Sequence, residues 1–311
     1  MCSSDLVSTP DVSATGAPQV PAPLDQHVWP TSADLTPAGE LVLAGLPATD
    51  LARDFGTPAF VMDEKHFRDR ARLFRDSFTE AFAAVGAEVD VYYAGKSFLS
   101  VAVARWAREE GLRVDTCTGG ELAVALRAGV PGAEIGLHGN NKSDAEISRA
   151  IEAGVGRVVV DSFAEIDRVA ELARDAGRDS STRVPVMVRV TTGIHAGGHE
   201  FISTAHEDQK FGVSLTGGQA LAALRAVLDH PELELLGAHT HIGSQIQDAA
   251  AFEANARKML ALRADLETET GYLLPELDLG GGYGIAYVPS ETPIDVPALA
   301  PVQALVYAIR F

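Results

Sequence analysis

From about residue 58 onward, short apolar runs alternate with segments whose apolar residues recur at helical spacing. The run PAFVMD (58–63) predicts a strand, and the apolar positions between Phe67 and Phe82 predict one face of a long helix. Seven further strands are predicted at 88–95, 112–118, 134–139, 157–161, 184–190, 234–243 and 275–284. Because these runs are largely continuous in apolar character, they are typical of parallel strands covered on both faces.

Helical patterns follow six of these seven strands. They are predicted around 101–110, 120–128, 142–154, 163–176, 217–229 and 249–269. In the third of them, Ser143 stands at the N-cap position and Glu146 follows three residues later, which predicts a capping box. Alternating strands and helices form either an open doubly wound sheet or an eightfold barrel.

Polar residues at the strand ends favour the barrel. They are Lys96, Asp115, His138, Asp161, Arg189, His239, His241 and the run Gly280–Gly282. A barrel builds its active site from the ends of many strands, whereas a dinucleotide-binding sheet opens its first helix with a Gly-x-Gly-x-x-Gly turn that this chain lacks. The prediction is an α/β protein with a TIM-type (β/α)8 barrel, here lacking its last strand.

The charge balance narrows the class of ligand. With 43 acidic and 25 basic residues, the net charge of −18 disfavours nucleic acid and anionic membranes. No apolar run approaches the roughly 20 residues that cross a bilayer. The first 30 residues lack a secretory pattern, and the cysteines Cys2 and Cys117 do not suggest a disulfide framework. We therefore expect a cytoplasmic protein that handles small molecules.

The N-terminal segment is excluded from the fold prediction. Residues 7–27 are rich in Pro, Ala and Ser and are predicted to be disordered. We interpret Met1 to Leu6 as a cloning or assembly artefact. Residues 1–30 are therefore assigned as a disordered or artefactual segment.

Lys96 ends the apolar strand of VYYAGKS, and two interpretations stand beside each other. A lysine at a strand end often extends its amine into water along an apolar surface. A lysine whose amine is partly desolvated has a lowered pKa, and it becomes a nucleophile that forms a Schiff base.

The stretch HTHIGSQ (239–245) places two histidines two residues apart, so both point to the same side of a strand. They could be core histidines, a metal-binding pair, or an imidazole flat against an aromatic cofactor with Ser244 on a phosphate. The run LGGGYG (279–284) is either a tight turn or a loop whose backbone approaches an anion closely.

Taken together, these motifs identify a family. The chain resembles the alanine-racemase-like barrel class of pyridoxal-phosphate enzymes and, within it, the diaminopimelate decarboxylases. The matching stretches, in the family's order between about residues 40 and 287, are YYAGKS, VDTCTGGELAVALRAGV, HGNNKS, HEDQKFG, HTHIGSQI and DLGGGYGIAY. The stretches GNNKS and HEDQKFG favour these enzymes over ornithine and arginine decarboxylases.

The resemblance implies pyridoxal 5'-phosphate as cofactor and assigns the candidate site residues. Lys96 would hold the cofactor covalently until the substrate amino acid displaces it, and His241 would stack on the cofactor ring. The phosphate would be held by Ser244, Gly281 and Gly282.

The remaining candidates are Asp115 and Arg189, which match positions that line the cofactor pocket in the wider class. Asp115 would lie near Lys96 and tune its charge. The expected reaction is the decarboxylation of meso-diaminopimelate to L-lysine and carbon dioxide.

The resemblance also implies parts that this sequence does not show. The family has an eighth strand ending in a Glu-Pro-Gly-Arg type motif, and a C-terminal β domain that supplies a Cys-Glu motif across a homodimer interface. We interpret the chain as a C-terminally truncated member, with 31–57 as the start of the β domain and 58–311 as an incomplete barrel. This chain is expected to be poorly soluble and nearly inactive.

Two alternative functions remain open at this stage. The complete protein could decarboxylate another basic amino acid, ornithine or arginine. The chain as it stands could also be a catalytically inactive protein that retains the cofactor.

Overall fold

The structure is a computed structural model that describes residues 23–194 and 211–308 of the 311-residue chain. Most of the predicted disordered segment and most of the stretch HEDQKFG lie outside the described residues. The chain forms two compact units, Met1–Asp63 and Glu64–Phe311. The division therefore falls a few residues after the boundary at 57 that was expected from the sequence, and the assignment of 31–57 to a β domain stays a prediction.

The first unit contains a small antiparallel sheet and one helix. Its strands are Asp34–Leu35 (β1), Leu41–Leu43 (β2) and Leu46–Pro47 (β3), and its helix is Ala48–Phe55 (α1). Ala44 and Gly45 connect β2 to β3 with positive φ angles of 50° and 82°, which suit a two-residue hairpin loop.

The strand predicted at 58–63 was wrong. These residues form no strand, and the side chain of Phe60 is 97% exposed. An apolar run alone does not make a strand, because a strand also needs a neighbour that takes its backbone hydrogen bonds.

The second unit is built on a curled parallel sheet. The strands are Tyr92–Ala94 (β4), Arg113–Thr116 (β5), Ile135–Leu137 (β6), Arg157–Val160 (β7), Val184–Thr191 (β8), Val213–Ser214 (β9), Leu233–Thr240 (β10) and Glu276–Asp278 (β11). Their order is β4-β5-β6-β7-β8-β10-β11, and β9 pairs only with β8. All seven predicted barrel strands are confirmed, while β9, which is two residues long, was not predicted.

Helices follow the strands and cover the outside of the sheet. They are Glu64–Ala83 (α2), Val101–Glu109 (α3), Gly119–Arg127 (α4), Asp144–Ala153 (α5), Phe163–Asp175 (α6), Gln219–Leu228 (α7), Ala249–Thr270 (α8) and Val296–Ala308 (α9). The predicted TIM-type class is confirmed, and within the described residues the curled sheet has β4 and β11 as the two ends of its strand order.

Helix α9 packs against the helix that begins this unit. Val296, Ala300 and Ala304 form one buried cluster with Phe78 and Phe82 of α2. The small alanines allow the two helices to approach closely. No helix among the described residues is long and apolar enough to cross a membrane.

Side chains on the strands alternate between two environments. Val114, Leu137, Val158 and Val186 are fully buried in the main core between sheet and helices. The positions next to them face the inside of the barrel and carry polar groups, as Asp115 and His138 do. This alternation places chemistry on the inner face of the sheet and the apolar core on the outer face.

Side-chain caps fix where the helices begin. Ser100, Thr118 and Ser162 each accept a hydrogen bond from the backbone three residues later, at the starts of α3, α4 and α6. At α5 the full capping box of Ser143 and Glu146 is present, as predicted. Because each cap lies just beyond a strand, it also fixes the loop that leaves the carboxyl end of that strand.

Candidate active site

One cavity of about 1850 Å³ occupies the inside of the curled sheet. It exceeds the roughly 300–1,000 Å³ of small-molecule sites because it extends from the barrel mouth down between the edge strands β4 and β11. Every candidate residue predicted from the sequence lines it. They are Lys96, Asp115, Arg189, His241, Ser244, Gly281 and Gly282.

Lys96 is presented by a short 3₁₀ turn, Gly95–Ser97, directly after β4. The turn is held by Ser97, whose hydroxyl donates to the carbonyl of Ala94 at 2.8 Å. A Cβ on Gly95 would lie 2.7 Å from the carbonyl oxygen of Asp115, so the turn is pressed against β5. The side chain of Lys96 is exposed in the open cavity, in contrast to the partly desolvated amine considered from the sequence.

Two histidines and two aspartates form a polar floor inside the barrel. His138 Nε2 lies 3.1 Å from Asp115 Oδ1, but the two atoms are not aligned for a hydrogen bond. The rings of His138 and His239 meet edge to face with centroids 4.8 Å apart. Asp278 accepts a hydrogen bond from the Gly280 amide at 2.8 Å.

This floor contains buried polar atoms without a hydrogen-bond partner in the described structure. They are Asp115 Oδ1, His138 Nε2 and His239 Nδ1. Burial lowers the pKa of His239 well below its usual value, and burial together with the Asp115 carboxylate raises the pKa of Asp278. Since unpaired buried polar atoms are costly, the floor suits a ligand that brings polar atoms of its own.

His241 lies two residues beyond His239, after the end of β10, and also faces the cavity. Burial, with the cations Lys96 and Arg189 nearby, lowers its pKa to about 3. The imidazole is therefore neutral at physiological pH. A neutral flat ring is suited to lie against another aromatic ring, because no charge has to be desolvated.

Arg189 reaches the cavity from β8. Its guanidinium lies 4.4 Å from the centre of the Phe211 ring and 3.8 Å from a carboxylate oxygen of Asp161. Burial lowers the pKa of Arg189, although a guanidinium remains charged at neutral pH.

The loops after β10 and β11 form a glycine lip, defined here as Gly243–Ser244 and Gly280–Gly282. A Cβ on Gly282 would lie 1.9 Å from the carbonyl oxygen of Gly243, and one on Gly280 would lie 2.3 Å from that of Thr240. The amide of Ile246 donates to the Gly282 carbonyl at 2.9 Å, which ties the loops together. The glycine lip therefore exposes backbone atoms to the cavity, and there is no room for a side chain at Gly280 or Gly282.

Sequence reasoning missed several residues that line the lower cavity. Tyr92, Arg157, Glu276 and Asp278 come from the strands themselves rather than from their ends. The two-residue period of a strand was a signal for three of them, because residues an even number of positions apart point to the same face. Tyr92 lies four positions before Lys96, and Glu276 and Asp278 lie four and two positions before Gly280. Arg157 reaches the cavity through its contacts with Glu276 and Tyr92 across the barrel. His138 had been noted at a strand end but not assigned to the site.

The two-histidine stretch had also allowed a metal-binding interpretation. Within residues 23–194 and 211–308, no group of three or more His, Cys, Asp or Glu side chains is arranged to hold a metal ion.

Comparison with known proteins defines the class. Residues 65–307 match the family model described as the pyridoxal-binding domain of pyridoxal-dependent decarboxylases. The match covers most of the chain, including every strand and loop of the cavity. This chain belongs to the pyridoxal-dependent decarboxylase family.

The relatives within that family carry a more specific name. The chain is 48% identical over 281 residues to diaminopimelate decarboxylase of Mycobacterium tuberculosis, covering 89% of this chain and 60% of that protein. It is 46% identical over 296 residues to the diaminopimelate decarboxylase of Mycobacterium leprae, covering 92% and 60%. The chain therefore spans about three fifths of the length of these curated relatives.

A solved structure agrees in fold. The crystal structure of diaminopimelate decarboxylase from M. jannaschii in co-complex with L-lysine matches with a TM-score of 0.81 and 29% identity. The match covers 89% of this chain and 63% of that one. The resemblance drawn from the sequence motifs is confirmed, and so is the barrel class.

The residues of the cavity fit pyridoxal phosphate, the cofactor that the sequence predicted. A lysine amine is accessible for covalent attachment, a neutral imidazole offers a flat surface, and the glycine lip leaves room for a phosphate. The unpaired atoms of the floor can accept or donate hydrogen bonds to the polar edge of the ring.

Proposed function

We propose that the protein is a pyridoxal-phosphate-dependent decarboxylase that converts meso-diaminopimelate to L-lysine and carbon dioxide. The observation that carries this proposal is the presence of Lys96, the neutral His241 and the glycine lip in one cavity of a barrel from this family. The names of the relatives support the substrate, and the L-lysine co-complex of the M. jannaschii enzyme supports an amino acid of this shape.

Each candidate residue has a role that follows from its position. Lys96 would hold the cofactor covalently, and its amine would be free while the substrate amine occupies that place. His241 would support the face of the ring without adding charge, because its pKa is low. Ser244, Gly281 and Gly282 bind the phosphate through a hydroxyl and closely approaching backbone.

Asp115 and Arg189 complete the proposed pocket. Asp115 contributes a buried carboxylate oxygen without a hydrogen-bond partner, which would orient the polar edge of the ring. Arg189 contributes a cation at the side of the cavity.

When bound, the cofactor supplies an electron sink that accepts the electron pair left by carbon dioxide. The protein's contribution is orientation and proton control. The freed amine of Lys96 can hold or deliver a proton at the reacting carbon, since it remains in the cavity after displacement. The apolar walls below the mouth, including Phe74, Phe78 and Tyr283, limit the access of water from that side.

The proposal extends to assembly and location. We place the protein in the cytoplasm and expect a homodimer, in line with the small-molecule chemistry and the family resemblance. These two points concern the protein at the full length of its relatives.

A cofactor-binding experiment tests the proposal on this chain. Purified protein mixed with pyridoxal phosphate should develop the absorbance band of a covalently bound cofactor, and borohydride reduction followed by peptide mass spectrometry should place the added mass on Lys96. Lys96→Ala should abolish both signals. Lys258→Ala is the matched control, because that amine instead donates to the Thr192 carbonyl at 2.6 Å and does not line the cavity.

The substrate is tested by product formation in the cofactor-loaded protein at the length of its relatives. Lysine and carbon dioxide should form from meso-diaminopimelate in clear preference to products from ornithine or arginine. Preference for either of the other amino acids would overturn the substrate, and a cofactor signal that survives in Lys96→Ala would overturn the site.

A further inference from the structure

A chain of buried charges runs beneath the rim of the cavity. It consists of Lys142, Glu165, Asp161 and Arg189, whose side chains are 1%, 4%, 8% and 12% exposed. Lys142 lies in the loop after β6, Asp161 directly after β7, and Arg189 near the end of β8. The chain of charges therefore connects the ends of three neighbouring strands.

The contacts along it are direct. Lys142 Nζ lies 3.0 Å from Glu165 Oε2, and the same oxygen accepts the backbone amide of Asp161 at 2.8 Å. The Asp161 carboxylate then faces Arg189, with Oδ1 at 3.8 Å from Nη1. Its other oxygen accepts the backbone amide of Gly212 at 2.8 Å.

Burying four charges is expensive, and stability alone does not explain it. Burial lowers the pKa of Lys142, as expected when a cation is removed from water. A buried ion pair is commonly no more stabilising than apolar residues of the same volume, whereas it does fix a geometry. The arrangement is therefore better explained by what it holds in place.

What it holds is the guanidinium of Arg189. The Phe211 ring covers one side of that group at 4.4 Å, and the next residue, Gly212, is bound to Asp161 through its amide. Gly212 has a φ of +74°, and a Cβ there would lie 2.9 Å from the Arg189 carbonyl oxygen. Asp161 thus contacts the guanidinium directly and also anchors the segment that stacks on it.

We propose that Asp161 is a positioning residue, which holds Arg189 as a single oriented cation at the side of the cavity, with Lys142 and Glu165 fixing the backbone of Asp161 in turn. The role of that cation in binding rests on the proposed function, but the positioning itself does not. Of the four residues, only Arg189 lines the cavity, so the other three act through it.

The first test needs no cofactor. Asp161→Asn keeps an oxygen that can accept the Gly212 amide but removes the charge that faces Arg189. Modification of Arg189 by phenylglyoxal, followed by peptide mass spectrometry, should become at least threefold faster than in the wild type. The matched control is Asp167→Asn, which removes the same charge from a carboxylate that is 77% exposed and lies 3.3 Å from His230 Nε2.

The second test uses pyridoxal phosphate as the probe. Its affinity should fall roughly three- to tenfold in Asp161→Asn, in the range expected for a weakened charge-assisted contact. In an Arg189→Gln background, Asp161→Asn should have no further effect on that affinity. Wild-type protein that fails to bind the probe would contradict the proposed function, while the modification rates would still decide the positioning.

Unchanged modification of Arg189 in a folded Asp161→Asn variant would overturn the inference. If that variant does not fold, Asp161→Glu decides the question, because it keeps the charge within reach of Arg189. Its Arg189 should remain protected to within twofold of the wild type, and a folded Glu variant with unprotected Arg189 would equally overturn the inference.

Discussion

At the scale of single residues, the cavity combines an exposed amine with imidazoles that burial keeps neutral. Lys96 is open to solvent, whereas His239 and His241 have lowered pKa values because they are removed from water and lie near cations. The proposed chemistry uses this difference, since the nucleophile must move and the supporting ring must not carry charge.

The lowered histidine pKa values predict how stability depends on pH. Below about pH 6.5 the unfolded chain takes up protons on these histidines, while the folded protein keeps His241 neutral down to about pH 3. The free energy of unfolding should therefore fall as the pH falls through this window, by up to about 1.4 kcal/mol per pH unit for each histidine. Urea unfolding at a series of pH values measures this slope.

Two variants test whether His241 contributes to this dependence of stability on pH. His241→Asn should show a shallower dependence than the wild type between pH 6.5 and 4. His27→Asn replaces an exposed histidine and should leave the dependence unchanged. Identical slopes in the wild type and His241→Asn would contradict the assignment.

At the scale of elements, strand ends and helix caps together set the loops of the cavity. Glu146 of α5 accepts the backbone amide of Ser143 at 2.9 Å and that of Gly119 at 2.6 Å. The first bond closes the capping box, and the second ties the first turn of α5 to the start of α4. One side chain therefore serves a helix and a neighbouring loop at once.

Glu146→Ala should cost more stability than Ser143→Ala for this reason. Loss of the Ser143 cap is expected to lower the free energy of unfolding by about 1 kcal/mol, and loss of Glu146 by about 2 kcal/mol, because it leaves a second amide without its partner. Chemical denaturation measures both. Ser162→Ala is the control, since it removes a simple cap of α6 and should match Ser143→Ala. Equal costs for Glu146→Ala and Ser143→Ala would show that the Gly119 contact contributes nothing.

The elements that the sequence predicted are those with local signals. Each barrel strand was recognisable because its outer positions are apolar, and the capping box because its two residues are three apart. The strand at 58–63 failed, and β9 was missed, because pairing depends on a distant partner. Within the site, Lys96 and His241 stand in recognisable motifs, whereas Asp278 and Arg157 owe their position in the cavity to the curl of the sheet.

At the scale of the whole barrel unit, one arginine connects the middle of the sheet to both of its ends. Arg157 of β7 has a side chain that is 6% exposed. Its Nη1 lies 2.8 Å from Glu276 Oε2 of β11, and its guanidinium lies 4.8 Å from the Tyr92 ring of β4. Since β4 and β11 do not pair with each other among the described residues, this contact helps to hold the sheet in its curled form.

Arg157→Met should therefore loosen both edge strands together. We expect the free energy of unfolding to fall by about 1–3 kcal/mol. This is no more than the usual cost of breaking a buried ion pair, because the Glu276 side chain is 41% exposed. Amide hydrogen exchange should accelerate in both Tyr92–Ala94 and Glu276–Asp278. Arg225→Met is the control, because its pair with Glu269 is exposed and should contribute less than about 1 kcal/mol. Faster exchange in one edge alone would contradict the bridging role.

The alternation along the strands has a consequence for how such a protein can change over generations. The outward-facing residues of each strand, such as Val114, Val158 and Val186, pack against the helices and form the core. The residues that alternate with them, such as Asp115 and Arg189, face the cavity and contact the ligand space. Substitutions at inward-facing positions such as Asp115 can therefore change the ligand without disturbing the apolar core between sheet and helices. A lineage built in this way can diversify its reactions while its architecture stays recognisable.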